Sequence, residues 1–444
     1  MIEEYKLKFI QTFGIDKNIF WSTLNKVFGI IKGPISIIFL VKFLTIEEQG
    51  IWYTIINLSS LTILAELGFT NIISQFISHE VAHIKIINEN FHGEEERLEK
   101  LSSIFRFSLK IYLVIIPISL IILTILGLIY FNKNSINIKT IWILYSVVGA
   151  LTLLLTFFQS IYQSFDRIVP IQKSLLVSAI ISTFAYWLSL FLNFSIWTIV
   201  ISTFFSFFVC LMYLYFDSPS FWFNLFKLKN KKKLKIYNEI LPLQLKYALT
   251  FICSYLITYL LVPSMYKFIG ASEAGKFGLA LSLIATINSI ALNWINTKVP
   301  KLSFLVSKKN TIEHKYMFKK ALKDGFLVLI ILYLILISGY FFIGEYYKSY
   351  LVRFPDFVQF LFLIFVGIIQ YIISTIITYL RSFKEEPFIF LQILNTIFVL
   401  ILIYYDIYLS KNIFEFTRNL FLFHLFFLLP IYALLFNKKY KKII

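Results

Sequence analysis

The chain is 444 residues long, 59% hydrophobic and only 15% charged, where a soluble protein of this size carries about 25% charged residues. Its formal charge of +18 does not imply a nucleic-acid partner, because the cations gather at the ends of apolar runs. Two cysteines, Cys210 and Cys253, both inside such runs, exclude a disulfide framework.

The runs are of the length that crosses roughly 30 Å of hydrocarbon as helix. Helix is required because each segment must satisfy its own backbone hydrogen bonds in lipid. In chain order the expected spans are 19–44, 51–76, 104–131, 140–165, 174–193, 196–216, 246–269, 276–297, 321–343, 357–381, 387–405 and 417–436. The fold class expected is therefore all-α integral membrane, with about twelve transmembrane helices. The first run lacks a small-residue cleavage site and is too long for a signal-peptide core, so it reads as retained. The fifth and sixth runs are joined only by Phe194 and Ser195.

Most lysines and arginines fall in alternate loops, among them the basic stretch 227–235 and the tail Lys438 to Lys442. The positive-inside rule then places both termini in the cytoplasm. The basic stretch reads as a cytoplasmic loop against anionic membrane lipids. It separates an N-terminal lobe, 1–217, from a C-terminal lobe, 246–444, with 218–245 between them.

An internal repeat supports that division. Phe43 to Trp52 reappears as Phe268 to Phe277, so that Gly50 aligns with Gly275. Phe105 to Lys110 matches Phe318 to Lys323, and Ser164-Phe165 before Pro170 matches Ser382-Phe383 before Pro387. An even number of spans per half makes the repeats parallel, the pattern of two six-helix lobes around a central cavity.

Charged groups inside spans are costly and usually face a cavity or a partner. The first span carries Lys26, Lys32 and Lys42, and Asn25, Gly29, Lys32, Ser36 and Phe39 share one face. Gly33-Pro34 predicts a local opening of that helix. Snorkelling accounts for Lys42 and for Lys26, but not readily for Lys32 near mid-membrane. In the second span Ser59, Thr62, Glu66 and Thr70 share a face. Glu66 has two readings: a charge partner for Lys32, or the binding site of a coupling proton or sodium ion.

The fourth span aligns Thr152, Thr156, Gln159, Gln163 and Asp166, and the tenth aligns Gln370, Ser374, Thr378 and Arg381. Such stripes are packing seams as often as sites. Asn288, Asn293 and Asn296 in span eight, Asn57 in span two and Lys246 opening span seven complete a polar set that is mainly cationic. That balance favours an anionic ligand. The candidate cavity residues are thus Asn25, Lys26, Lys32, Asn57, Lys246, Asn293 and Arg381, with Glu66 for ion coupling or charge pairing.

His79-Glu80-Val81-Ala82-His83 matches H-E-x-x-H literally, but Ile86 and Glu89 stand where an extended zinc motif needs Gly and His. No nucleophile elbow or phosphate-cradling glycine loop is present, and neither metal nor cofactor is expected.

Glu47-Glu48-Gln49-Gly50-Ile51-Trp52-Tyr53, Ala65-Glu66-Leu67-Gly68 and Gln75-Phe76-Ile77-Ser78-His79-Glu80 resemble the N-terminal signature of bacterial O-antigen flippases. These belong to the multidrug/oligosaccharidyl-lipid/polysaccharide exporter superfamily. The resemblance is densest over about residues 20–80, departs at Ile46, where such sequences often have proline, and gives Ser78-His79-Glu80 a meaning without zinc. It implies non-enzymatic export of an undecaprenyl-pyrophosphate-linked oligosaccharide from the cytoplasmic to the periplasmic leaflet of a bacterial inner membrane. It further implies a polysaccharide polymerase and chain-length proteins as partners. Lys26, Lys32 and Lys246 would answer the pyrophosphate. The rival readings are a multidrug or lipid II exporter of the same superfamily, and a polytopic glycan polymerase or ligase.

Overall fold

The computed structural model describes residues 17–81, 83–132, 134–228, 252–253, 255–299, 302, 305–306, 310–381 and 389–443. Lys246 and the segment 382–387 used in the repeat lie outside the described residues, as does most of the basic stretch. The described chain is almost wholly helical, and ten of its helices are long and apolar enough to cross a membrane. It is a multi-pass membrane protein.

Contacts group the chain into two compact units, residues 1–44 with 58–255, and 45–57 with 256–444. The first unit opens with α1 (Lys17–Phe43). After α2 (Ile46–Ser59) it continues through the short α3 (Thr62–Glu66) and α4 (Phe69–Val81). A hairpin of β1 (Lys85–Ile87) and β2 (Asn90–His92) leads to α5 (Glu95–Tyr130), α6 (Ile136–Ser164), α7 (Ile168–Phe191), α8 (Trp197–Asp217) and α9 (Pro219–Lys227).

The expected second span, 51–76, is not one helix. It is interrupted after Ser59 and again at Leu67 and Gly68, whose φ angles are 47° and 78°. Two successive left-handed residues end a right-handed helix, and only the second is a glycine, which adopts that conformation without steric cost. The break leaves Glu66 at the tip of α3. This span and the seventh, of which 246–251 and 254 lie outside the described residues, are the two expected spans not among the ten.

The hairpin is the departure from pure helix among the described residues. Asn88 and Glu89 are both left-handed, with φ of 49° and 64°, which gives the tight connection that pairs Ile87 with Asn90. Likewise Asn193 and Ser195, with φ of 60° and 51°, turn α7 back into α8 within a few residues.

α1 lies along α7. Ser36, two residues beyond Pro34, takes hydrogen bonds from Tyr186 OH on its carbonyl (3.1 Å) and from Trp187 Nε1 on its hydroxyl (3.2 Å). Phe39 stacks on Trp187 at 5.6 Å. Between helices in lipid, such side-chain hydrogen bonds and close packing supply the association that water supplies in soluble cores. Beneath α9, Phe221 and Trp222 close a cluster with Phe105, Tyr112, Phe157 and Tyr162.

At one end of this unit Glu80, only 1% exposed, meets Lys100 Nζ at 3.0 Å and Arg97 NH1 at 3.1 Å. Burial alone would raise its carboxyl, but hydrogen bonds from Lys100, Arg97 and His79 hold it below the ordinary carboxylate value. A carboxyl lowered by folding adds stability above the ordinary carboxylate range, and that stability is lost as pH falls through the lowered value. Glu80→Gln is therefore expected to melt below the parent protein at neutral pH, and the gap should narrow as pH drops to about 4. Melting curves at both pH values check this, and a gap that stays constant would refute it.

The second unit holds α2 up to Asn57, then α10 (Leu261–Phe268), α11 (Ala271–Asn296), α12 (Thr311–Tyr346), the single turn α13 (Lys348–Leu351) and α14 (Phe357–Arg381). α15 (Ile389–Leu402) runs into a π-helical stretch, Ile403–Leu409. α16 (Ile413–Phe423) runs through a second, His424–Leu428, into α17 (Leu429–Ile443). α2 crosses α11 with almost no separation. A Cβ on Gly50 would lie 1.8 Å from Ala271 O, and one on Gly275 would lie 2.9 Å from Ile46 O. Gln49 Nε2 donates to Gly275 O at 2.9 Å, and its Oε1 accepts from Arg353 NH1 at 3.2 Å.

Candidate functional site

Glu66 is the centre of a polar cluster built by four helices of the first unit. Ending α3, its carboxylate accepts hydrogen bonds from Thr70 of α4 (3.3 Å), Tyr112 OH of α5 (3.0 Å) and Thr156 of α6. Thr156 also donates to Leu153 O of its own helix. Tyr112 is fully buried between Phe69 and Phe157, so its hydroxyl is held in place by ring packing. The Thr70 bond spans the interruption at Leu67 and Gly68, joining the end of α3 to the start of α4. A carboxylate among three hydroxyls can exchange a proton or hold a small cation while staying hydrogen-bonded, since each hydroxyl both donates and accepts.

Lys32 is not brought to Glu66. It is half-buried on α1, with its ammonium 5.8 Å from the ring centre of Phe28 on the same helix. Lys26 is exposed. Asn25 donates to Gln172 of α7 at both the backbone carbonyl (2.6 Å) and the amide oxygen (2.9 Å). Thus Asn25, Ser36 and Phe39 of the predicted stripe serve the seam with α7, and Lys32 is the member that carries a charge. Nearby on α7, Lys173 Nζ stands 5.0 Å over Trp21 of α1.

The predicted residues of the second unit are dispersed. Asn57 bonds back to Tyr53 O at 2.7 Å, a local helix contact. Asn293 is half-buried on α11, and Arg381 ends α14 with its side chain outside the described residues. Asn288 instead joins three helices, donating to Gly367 O of α14 (3.0 Å) and accepting from Tyr333 of α12 (2.9 Å). It lines a small internal cavity of about 140 Å³ with Thr258, Gln370 and His424. His424, at the start of the second π stretch, donates from Nδ1 to Leu420 O at 2.8 Å.

Sequence reasoning missed Tyr112, Gln172, Trp187 and His424. His424 left a signal, as a histidine inside an apolar run; the other three are visible only as partners across a helix pair. The two histidines of H-E-x-x-H, His79 and His83, have ring centres 5.8 Å apart, but Glu80 between them is turned to Arg97 and Lys100. Among the described residues no three His, Cys, Asp or Glu side chains converge as a metal set.

A family model described as polysaccharide biosynthesis protein matches residues 15–306, which span α1 through α11 and include the Glu66 cluster. The chain belongs to that family. Among solved structures, the fold resembles the inward-facing conformation of a multidrug resistance MATE family transporter of the MOP superfamily. The TM-score is 0.55 at 11% identity, over 92% of this chain and 95% of that one. At that identity the likeness concerns the fold. Comparison with the curated proteins gives no match. In this polysaccharide biosynthesis family member, Glu66 at the end of α3 and Lys32 on α1 are ionisable groups of the first unit.

Proposed function

We propose that the chain is a flippase that carries an oligosaccharide linked to undecaprenyl pyrophosphate from the cytoplasmic to the outer leaflet of a bacterial inner membrane, breaking no bond. Lys32 carries this reading. It is a half-buried cation within an apolar span of a polysaccharide biosynthesis family member, and it forms an ion pair with no carboxylate among the described residues. Such a charge is expensive in lipid unless an anion meets it, and a pyrophosphate brings that anion in a form suited to an ammonium. The sugar part would be a repeat unit of a surface polysaccharide such as O-antigen, passed on to a polymerase and its chain-length partners.

The positive-inside distribution orients the chain with both ends cytoplasmic. An inside-negative potential then favours outward movement of the anion, by about 2.3 kcal/mol per charge for each 100 mV. Glu66 adds a site for a coupling proton or cation. The fold likeness to a multidrug transporter supports drug export as the second reading, but a cationic drug would be repelled by Lys32.

Complementation tests the choice. In a bacterium deleted for its own flippase and supplied with matching glycan genes, the parent chain is expected to restore surface polysaccharide. Lys32→Ala should trap the lipid-linked unit inside and lower surface polysaccharide by roughly tenfold, as for loss of one charge-assisted contact. Restoration by Lys32→Ala to the parent level would remove the role given to that lysine.

A further inference from the structure

At the end of the second unit where α11, α14 and α16 begin, a polar cavity of about 450 Å³ opens. Its volume falls within the roughly 300–1,000 Å³ of small-molecule sites. Glu273 and Lys276 of α11 line one side as a salt bridge of 2.6 Å. Asp356 and Gln359 line another, and Lys411, held left-handed at φ 52°, closes it with Phe414.

Glu273 and Lys276 pair with each other, Ser410 donates to Asp406 O and Asn412 accepts from Glu415 N, which leaves Gln359, Asp356 and Lys411 of the lining. Gln359 is only 9% exposed, yet its side-chain amide has no hydrogen-bond partner among the described residues and lies in the cavity wall. Its amide reaches the open space of the cavity and is available to a ligand there as both donor and acceptor. Asp356 and Lys411 likewise make no side-chain hydrogen bond or ion pair with described groups. The site therefore offers a carboxylate as acceptor, an ammonium as donor and an amide as both, at the rim and floor of one cavity.

The formal charges of Glu273, Asp356, Lys276 and Lys411 cancel, so neither an anion nor a cation is favoured as such. What matches is a neutral molecule dense in hydroxyls, each of which donates and accepts. Phe414, 42% exposed and braced by Phe362 at 6.0 Å, adds an apolar surface for the C–H face of a pyranose ring. We propose that this cavity is a saccharide-binding site that takes a mono- or disaccharide portion of a glycan. It is separate from the Lys32 and Glu66 groups, which answer the charged carrier. The inference rests on the glycan-export reading for the source of the sugar. In the orientation given above the cavity opens to the outer side, where it would receive the sugar at the end of transport.

The test uses the full chain in lipid nanodiscs and a panel of free sugars: glucose, galactose, rhamnose, N-acetylglucosamine and lactose. Saturation-transfer NMR is expected to detect binding of at least one of them in the millimolar range. Asp356→Ala and Gln359→Leu should each weaken it by roughly tenfold or more, while Lys32→Ala should leave it intact. Lys411→Cys, on a turn between helices, gives a second readout that spares both α14 and α16: a membrane-impermeant maleimide should label it in intact cells, and the bound sugar should slow the labelling. No sugar binding, binding unchanged in both cavity variants, or inorganic phosphate binding in place of sugars would each overturn the site. Transport of a lipid-linked saccharide is measured in parallel to separate the two failures. Transport without sugar binding removes this site alone, whereas absence of both removes the export reading with it.

Discussion

Gly50→Ala is expected to cost about 3 kcal/mol, the upper end of the usual range for overpacking. The added methyl would sit 1.8 Å from the carbonyl oxygen of Ala271 and 2.6 Å from its carbonyl carbon, both backbone atoms that no rotamer change can move. Gly275, its partner, is nearly as tight: a methyl there would stand 2.9 Å from both Gly50 N and Ile46 O. Separating the helices by the required distance would also break the Gln49 hydrogen bond to Gly275 O. Gly149→Ala on α6 is the control: nothing lies within 4 Å of its Cβ position, so helix propensity alone should make it neutral or up to about 1 kcal/mol more stable. Thermal melts of the detergent-solubilised proteins should order as Gly149→Ala at or above the parent and Gly50→Ala well below it. A Gly50→Ala melt equal to the parent's would mean that α2 and α11 do not cross this closely.

Glu66 carries the second large effect. Glu66→Ala removes the common acceptor of Thr70, Tyr112 and Thr156 and leaves the three hydroxyls only one another, at about 1–3 kcal/mol. Glu66→Gln keeps an oxygen for those hydroxyls and should therefore fold and melt close to the parent. It cannot, however, gain or lose a proton or hold a cation by charge. If Glu66 couples transport to an ion, Glu66→Gln should lose the response of transport to an imposed proton or sodium gradient, while Thr70→Val keeps it. A gradient response unchanged in Glu66→Gln would assign this carboxylate a packing role instead.

The long helices were legible because bilayer thickness sets the length of an apolar run. α5 to α8, α11, α12, α14 and α16 lie within several residues of the expected spans at most of their ends, and the long extensions of α5 and α12 are polar turns that hydropathy does not register. The interruption of the second span was not legible. Ala65-Glu66-Leu67-Gly68 is compatible with a continuing helix, and nothing local marks Leu67 for a left-handed conformation. Nor was the hairpin at 85–92, whose turn uses Asn88-Glu89 in place of the usual Asn-Gly.

The site divides in the same way. Helical spacing placed Thr70 beside Glu66 and Thr156 on a polar face, but which helices face each other is a tertiary fact. The pairing of Lys32 with Glu66 that spacing allowed is therefore not what the structure builds; hydroxyls from α5 and α6 take that place. Asn25 and Ser36 share the polar face of the first span, and polarity does not distinguish a seam from a cavity. The aligned segments around Gly50 and Gly275 meet each other in the fold, each glycine against the carbonyl of the residue four before the other, Ala271 and Ile46.

Translocation itself is tested most directly with the purified chain in sealed vesicles that hold a fluorescent undecaprenyl-pyrophosphate saccharide, by following its exposure to a membrane-impermeant quencher. The chain is expected to make the inner-leaflet fraction accessible, with Lys32→Ala slower by roughly tenfold. Accessibility no faster than in protein-free vesicles, with the chain folded and inserted, would contradict the flippase reading.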